Sequence, residues 1–415
     1  MKTLLLFRLF IRELKNQRKR MTLTIFALVW GTFSIIILLA FGDGLRIQMT
    51  KSNAGLGKAI VMVFGGQTSK PFQGLGKGRR IFLVEEDVEL LRNRLPGIEF
   101  ISPESEHYGI TVTVGRNSFT RSVIGVYPSF EEMRTYYPRA GSRFLNAIDL
   151  EKRRRVIFLG AKAKEKIFGS ENAVGKTLLI NNIPFLVVGV MQKKLQSSMY
   201  NGPDEEKMAI PYSTYRAVFG DKYLDRVIYK PGDVSGAEIL KKAIFRILAE
   251  KYRFDPEDRQ ALRLWDTIEE EKIFRRVFMG LQIFMGIMGA LTLMVAGVGV
   301  ANIMYVSAKR RTREIGIKLA LGAKKRHVLL QFVSEALMIS CVGGIIGVFL
   351  SLLAVRLVDL MNLQGGAMDF IGHPVVSVRT MIVTAIILGA TGFLAGFFPA
   401  RRAASLNPVE ALRYE

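Results

Sequence analysis

Gly175-Lys176-Thr177 is a place in this sequence where residue types and spacing could do chemistry. The triplet is the tail of a phosphate-binding loop, in which backbone N–H groups and a following helix N-terminus cradle phosphates. That pattern needs a glycine five positions before Gly175, where Ser170 stands; Gly169 is one residue too far. The context also fails. Lys176-Thr177 lead into Leu178-Leu179-Ile180, then Asn181-Asn182, then residues 183–190. This order predicts strand, two-residue turn, strand, with no helix N-terminus. Gly65-Gly66-Gln67 has the tail of an ATPase signature, but Val63-Phe64 stand where Leu-Ser is required. Both matches read as coincidences.

The other reactive residues form no constellation. His107, His327, His373 and Cys341 are far apart and lack zinc-ligand spacing. A lone cysteine allows no intramolecular disulfide and leaves the redox compartment open. Asp204-Glu205-Glu206 could hold a cation, but it follows Asn201-Gly202-Pro203 and reads as a solvated turn. Lys152-Arg153-Arg154-Arg155 reads as a surface run before a strand. No Ser/His/Asp order stands out. The expectation is a chain with no catalytic residue, no bound cofactor and no metal.

The elements around these residues belong to a membrane protein. The chain has 415 residues, 49% of them hydrophobic, yet carries 59 Lys+Arg and a net charge of +23. Apolar segments set between charged ones give such a mixture. Residues 22–41, 277–308, 336–355 and 380–400 are free of charged residues, and about 20 apolar residues suffice to span a bilayer. The second stretch exceeds that need and should tilt or project. Before the first span, seven basic residues face one acid, Glu13; residues 307–327 hold eight against Glu314. The positive-inside rule therefore places both termini and residues 307–327 in the cytoplasm. The region 42–276, with 39 Lys+Arg against 29 acids, lies outside, since long loops cross largely regardless of charge. The remaining positive charge mostly flanks the spans, which excludes nucleic acid as the partner. The apolar run after the basic start is long and lacks a clean small-x-small cleavage site, so residues 1–40 do not read as a signal peptide. Leu4, Phe7, Ile11 and Leu14 predict an amphipathic helix at the inner surface.

The expected order is a cytoplasmic amphipathic helix (1–21), span one (22–41), an outer domain (42–271), a stalk with span two (272–306), and a cytoplasmic loop (307–327). Span three (328–356), an outer loop (357–379), span four (380–400) and a cytoplasmic tail (401–415) follow. The outer domain reads as mixed α/β. Strand 59–64, helix 85–95 and strand 98–102 form one β-α-β unit; strand 226–229, helix 235–252 and strand 261–265 form another. Short strands fill the sequence between them: 111–114, 122–126, 155–159, 177–180, 185–190 and 208–210. A split βαβ pair with a β-rich insertion is the simplest account.

One span, a large outer domain, then three spans: this layout resembles the permease subunits of MacB/FtsX-type ABC systems, over nearly the whole chain. GSRFLNAIDLEKRRRVIFLGAKAKEKIFGSENAVGKTLLINNIPFLVVGVM (141–191) is similar to the MacB-type outer-domain core. Ala173-Val174-Gly175-Lys176-Thr177 then matches that family's usual strand start. KRRTREIGIKLALGAKKRHVLLQFVSEAL (309–337) resembles the inner loop and third span, and GFFPARRAASLNPVEALRYE (396–415) the C-terminal signature.

The resemblance implies a permease that dimerises with a second copy or a paralogue and works with an ABC ATPase that binds ATP and magnesium. MacB carries that ATPase fused at its N-terminus. Here twenty-one residues precede the first span, so the ATPase is expected as a separate cytoplasmic chain. The expected location is a bacterial inner membrane; the sequence leaves open whether a periplasmic adaptor and an outer-membrane channel take part. ATP hydrolysis would move the stalk and outer domain, a mechanotransmission cycle exporting a drug, peptide or lipid-like substrate. A lipoprotein-releasing Lol-type permease, or an FtsX-type scaffold controlling cell-wall hydrolases, are the other readings. The FtsX class usually carries a smaller outer domain.

The expected coupling element is a short helix within residues 312–322. It carries Arg313, Glu314, Gly316, Lys318 and Gly322, with Ile315, Ile317, Leu319 and Leu321 available to pack. Glu335 is the only acid in the third span, eight residues past His327 and about 12 Å along a helix. An intramembrane carboxylate is a functional candidate or a structural bond to a neighbouring helix. Gly343–Gly347 and Gly392–Gly396 are G-x-x-x-G pairs that permit close helix packing.

Overall fold

The computed structural model describes residues 18–194, 196, 201–361 and 372–405. The expected amphipathic helix, much of the outer loop after span three and the end of the C-terminal signature lie outside the described residues. The chain divides into two units, Thr50–Phe274 and Met1–Met49 with Arg275–Glu415.

In the Thr50–Phe274 unit nine strands form one hydrogen-bonded system. They are β1 (Val61–Gly65), β2 (Ile98–Val114), β3 (Asn117–Val126), β4 (Val156–Leu159), β5 (Thr177–Ile180), β6 (Ile183–Val190), β7 (Met208–Pro211), β8 (Arg226–Pro231) and β9 (Leu262–Asp266). The pairings β2–β3, β3–β7, β7–β4, β4–β6, β6–β5 and β5–β2 return to their start, so six strands close a barrel. The N-terminal part of β2 pairs instead with β8, and β8, β1 and β9 continue an antiparallel sheet. The helix Glu85–Arg94 links β1 to β2, and the helix Ala237–Tyr252 links β8 to β9. Each pair of linked strands is separated by a strand of the other, which makes the expected split βαβ. The barrel is the expected β-rich insertion.

Apolar runs in these strands are continuous because both sheet faces are covered. In and beside β1, Val61 and Val63 enter one core while Ile60 and Met62 enter another; in β4, Ile157 and Leu159 oppose Val156 and Phe158. Strand side chains alternate, so adjacent apolar residues serve opposite cores. The expected strands 98–102 and 111–114 are one 17-residue strand. The intervening Glu104 and Glu106 are buried and meet Arg226 (3.9 Å) and Lys207 (2.9 Å). Asn181 and Asn182 take positive φ (46° and 66°) and turn β5 into β6, with Ile180 opposite Ile183. Asparagine tolerates this left-handed pair, which matches the twist of a hairpin.

Numbered in chain order, the helices are α1 (Arg18–Ala54), α2 (Glu85–Arg94), α3 (Phe130–Arg134), α4 (Ala147–Glu151), α5 (Ala161–Phe168), α6 (Tyr212–Phe219) and α7 (Ala237–Tyr252). They continue with α8 (Thr267–Arg310), α9 (Thr312–Ala320), α10 (Lys325–Leu360) and α11 (Val378–Ala404). Four of them, α1, α8, α10 and α11, are long and apolar enough to cross a membrane. The 44 residues of α8 run about 66 Å, roughly twice a bilayer's hydrocarbon core. In the Met1–Met49, Arg275–Glu415 unit, Leu28, Val300, Met304, Phe332, Ala336, Ile339 and Ala400 form a common core. Many other large apolar side chains of these helices stay exposed, among them Phe26, Trp30, Phe284, Val295, Phe349 and Phe398, as helices facing lipid require. The fold class is therefore a four-helix membrane part and a mixed α/β domain.

Candidate functional site

The segment joining α8 to α10 is the compact helix α9. Arg311 interrupts α8, and α9 ends in a paired C-terminal turn. The Gly322 N–H donates to Leu319 O (3.0 Å), and the Ala323 N–H to Lys318 O (3.0 Å). This Schellman pattern needs a left-handed residue after the C-cap, and Gly322 supplies it with φ +89°. The turn fixes where α9 stops and α10 starts.

The helix divides its apolar residues between two sides. Ile315 and Gly316 are buried, and Ile315 and Leu319 join the bundle core. Ile317 and Leu321 point away, 44% and 83% exposed. Arg313 and Glu314 are exposed beside them, and Lys318 bonds Glu314 at 3.1 Å. Lys318, Leu321 and Gly322 also line one shallow depression of about 420 Å³ with Lys324 and His327. The result is an exposed apolar pair framed by charges on a pinned helix. Such a surface suits protein contact, where apolar anchors carry the energy and charges set specificity.

Behind this face lies an ionic clamp. Arg311 Nη1 donates to Glu335 Oε1 at 3.1 Å, and Gln331 Nε2 donates to the same oxygen at 3.3 Å. Glu335 is 2% exposed. The bond holds the α8–α9 break against α10. The glycine pairs hold the helices close. A Cβ at Gly343 would come 2.6 Å from Leu28 Cβ, and one at Gly347 would come 2.7 Å from Thr32 Cβ and 2.9 Å from Val29 O. These two glycines seat α10 on α1. Gly392 faces Ser340, and a Cβ at Gly396 would come 2.7 Å from Ala336 Cβ, so this pair seats α11 on α10.

A second clamp leaves little trace in the sequence. Asp43 of α1 is buried. It accepts from Gln282 Nε2 of α8 (2.7 Å), Ser377 Oγ (2.8 Å) and Thr380 Oγ1 of α11 (3.1 Å). Ser377 also caps α11 by accepting from the Thr380 N–H at 3.1 Å. One carboxylate thus ties three helices. Its only sequence signal is an acid two residues beyond an uncharged stretch.

The remaining sequence candidates sit in the α/β unit. Lys176 ion-pairs with Glu171, and Gly175 precedes β5 rather than a helix. That geometry offers no phosphate cradle. Asp204 corrects the solvated-turn expectation. It is fully buried and takes both terminal oxygens to Arg134 Nη2 (2.7 and 2.8 Å), with Lys194 Nζ at 2.8 Å. Burial pushes its carboxyl up, but Arg134 and Lys194 outweigh burial and hold it at about 2. This cluster is a structural ion network; the described residues contain no group of His, Cys, Asp and Glu suited to a metal.

The family model of the MacB-like periplasmic core domain matches residues 21–245, and that of the FtsX-like permease C-terminal matches residues 286–408. The macrolide export ATP-binding/permease protein MacB of Wolinella succinogenes is 32% identical over 408 residues, covering 97% of this chain and 60% of that protein. The pyoverdine export ATP-binding/permease protein PvdT of Pseudomonas aeruginosa is 30% identical over 398 residues, covering 95% and 56%. The chain thus spans about three fifths of the length of these relatives. The crystal structure of the periplasmic region of MacB from Actinobacillus actinomycetemcomitans is 21% identical, with a TM-score of 0.43, and covers 53% of this chain and 94% of that one.

Proposed function

The chain belongs to the family of MacB-like permeases with an FtsX-like C-terminal part, and we propose that it is the membrane subunit of an ABC exporter driven by a separate cytoplasmic ATPase. Family and apolar helices together make it a multi-pass protein of the inner membrane. The observation that carries the proposal is α9, which offers Ile317 and Leu321 outward while Ile315 anchors it inward. In this reading α9 lies in the cytoplasm with both termini and seats in the ATPase, which holds ATP and magnesium. Arg313, Glu314, Ile317, Lys318 and Leu321 make the contact. Gly316 and Gly322 shape the helix and its turn. Closure of the ATPase then pushes α9, and the Arg311–Glu335 bond passes the push to α10.

A second permease copy or a paralogue completes the transporter, and α8 serves as the stalk that moves the outer domain. The cargo is a drug, peptide or lipid-like molecule, and it need not cross between the spans. The relatives are named for macrolide and pyoverdine export, which favours export over lipoprotein release. A periplasmic adaptor and an outer-membrane channel would extend that route across a second membrane.

The test is purification of the tagged chain from native membranes in mild detergent. An ATPase with a complete phosphate-binding loop should accompany it. Ile317→Glu with Leu321→Glu should remove that ATPase without changing the thermal unfolding midpoint of the permease. Retention of the ATPase by the double variant would overturn the assignment of the coupling face.

A further inference from the structure

Among the described residues, strand β9 is the last strand of its sheet and pairs with β1 alone. The bonds flanking it fix which backbone groups remain free. The Gly66 N–H donates to Ala261 O at 3.0 Å, and the Thr267 N–H to Ile60 O at 3.1 Å. Antiparallel pairing alternates, so residues 261, 263, 265 and 267 address β1, and Leu262 and Leu264 turn their N–H and C=O outward. Among the described residues these outward groups have no hydrogen-bond partner.

The free edge opens into a groove of about 1030 Å³ between β9 and α7, whose lining includes Leu262, Leu264, Phe245, Lys242, Arg246 and Arg259. Lys241 also lines it but is already engaged by Asp266 (2.8 Å), Glu238 and Glu269. Lys242, Arg246 and Arg259 are exposed and have no acidic partner among the described residues. Glu257 is the one lining acid outside the Lys241 cluster. Edge strands that must stay alone are usually blunted by a charge on the strand, a proline, a bulge or a cover. β9 carries one cation, Arg263, whose guanidinium lies over the Phe64 ring on the face away from Leu262 and Leu264; the groove's own cations come from the neighbouring helix and loop. They leave space beside the strand, and Leu262 and Leu264 face the α7 side with the core.

We propose that this groove binds an extended acidic segment of a partner protein by strand addition to β9. The segment's backbone would pair with Leu262 and Leu264. Alternate side chains would fall on the α7 side, where acidic ones meet Lys242, Arg246 and Arg259. The site lies outside the α9 face and stands or falls independently of the ATPase reading.

The experiment uses the full chain in detergent and a fluorescein-labelled ten-residue peptide of alternating valine and glutamate. Anisotropy should show saturable binding that weakens with salt. Leu264→Pro removes an outward N–H, and Arg246→Glu with Arg259→Glu reverses the charge; each should weaken binding about tenfold or more. Hydrogen exchange at the Leu262 and Leu264 amides should slow at saturating peptide in the unmutated chain, a readout independent of whether a variant folds. Unchanged exchange at those two amides would overturn the proposal, as would equal binding of a valine–lysine peptide. Edge amides already protected in the purified chain, together with a smaller assembly for Leu264→Pro, would mean that a second copy occupies the edge, and would also overturn it.

Discussion

Arg311 and Glu335 meet at 3.1 Å across 24 residues of sequence, and the carboxylate is nearly fully buried while the guanidinium is partly exposed. The bond therefore sits at the boundary between a wet helix break and an apolar helix interior. Removing one member of such a pair leaves the other charge without compensation, at a cost of about 3 kcal/mol. Glu335→Ala should lower the detergent unfolding midpoint strongly, and Arg311→Ala with Glu335→Ala should cost less than the two single losses summed. Additive losses in that double-mutant cycle would mean that the bond carries no coupling.

The helix seams make a prediction by contrast. A Cβ at Gly347 must displace Thr32 or the Val29 carbonyl, whereas nothing stands within 4 Å of a Cβ at Gly389. Overpacking costs about 1–3 kcal/mol, while an unobstructed helical Gly→Ala gains about 0.5–1 kcal/mol. Gly347→Ala should lower the unfolding midpoint and Gly389→Ala should hold or raise it. The same response from both would show that α10 does not seat on α1 through this glycine.

The turn after α9 depends on Gly322 and its φ of +89°. A branched side chain in the left-handed region costs about 1–2 kcal/mol. Gly322→Val should fray the α9 C-terminus, seen as faster hydrogen exchange at the Gly322 and Ala323 amides. Amide exchange within α10 beyond its first turns should stay as slow as before. Unaltered exchange at both turn amides would remove the Schellman turn as the feature that fixes α9.

Asp204 gives the α/β unit an acid limit. Its native carboxyl titrates at about 2, below the ordinary 3.8, because Arg134 and Lys194 favour the charged form. A depressed native pKa means that the unfolded chain takes up the proton first on acidification. The stabilisation, about 2 kcal/mol, is complete above pH 4 to 5 and disappears as pH falls towards 2. Fluorescence of Trp265 in a Trp30→Phe background would follow unfolding. The advantage of the unmutated chain over Asp204→Asn should shrink from pH 5 to pH 2.5. A constant difference across that range would exclude Asp204 as its source.

Local chemistry was legible in the sequence and long-range pairing was not. Asn181-Asn182 announced its hairpin because two asparagines accept the backbone that the turn demands. The apolar runs of β1 and β4 announced buried strands. Strand β2 looked like two strands because Pro103, Glu104 and Glu106 interrupt its apolar pattern. It continues because Arg226 and Lys207, each about a hundred residues away or more, meet those acids. Asp204 looks like part of a solvated turn for the same reason: Arg134 lies 70 residues earlier. In α9 the helix could be read from residue types, but the sequence did not say that Ile315 faces inward and Ile317 and Leu321 outward. That choice is made by Phe332, Ala400 and their neighbours, which belong to other helices. Asp43 escaped notice because its three donors come from two distant segments and only converge once the bundle forms.

Strand β2 belongs to two structures at once, the sheet with β8 and the barrel with β3 and β5. Most connected subdomains meet at a loop, and a loop absorbs rotation. Here the shared member is one 17-residue strand, bulged near Gly109, so sheet and barrel are joined by continuous backbone pairing rather than by a loop. Glu104 is the crossing point, paired with Arg226 of β8 on one side and Val126 of β3 on the other. A glycine-rich insertion at residue 104 would interrupt both ladders and the buried Glu104–Arg226 contact at a single point.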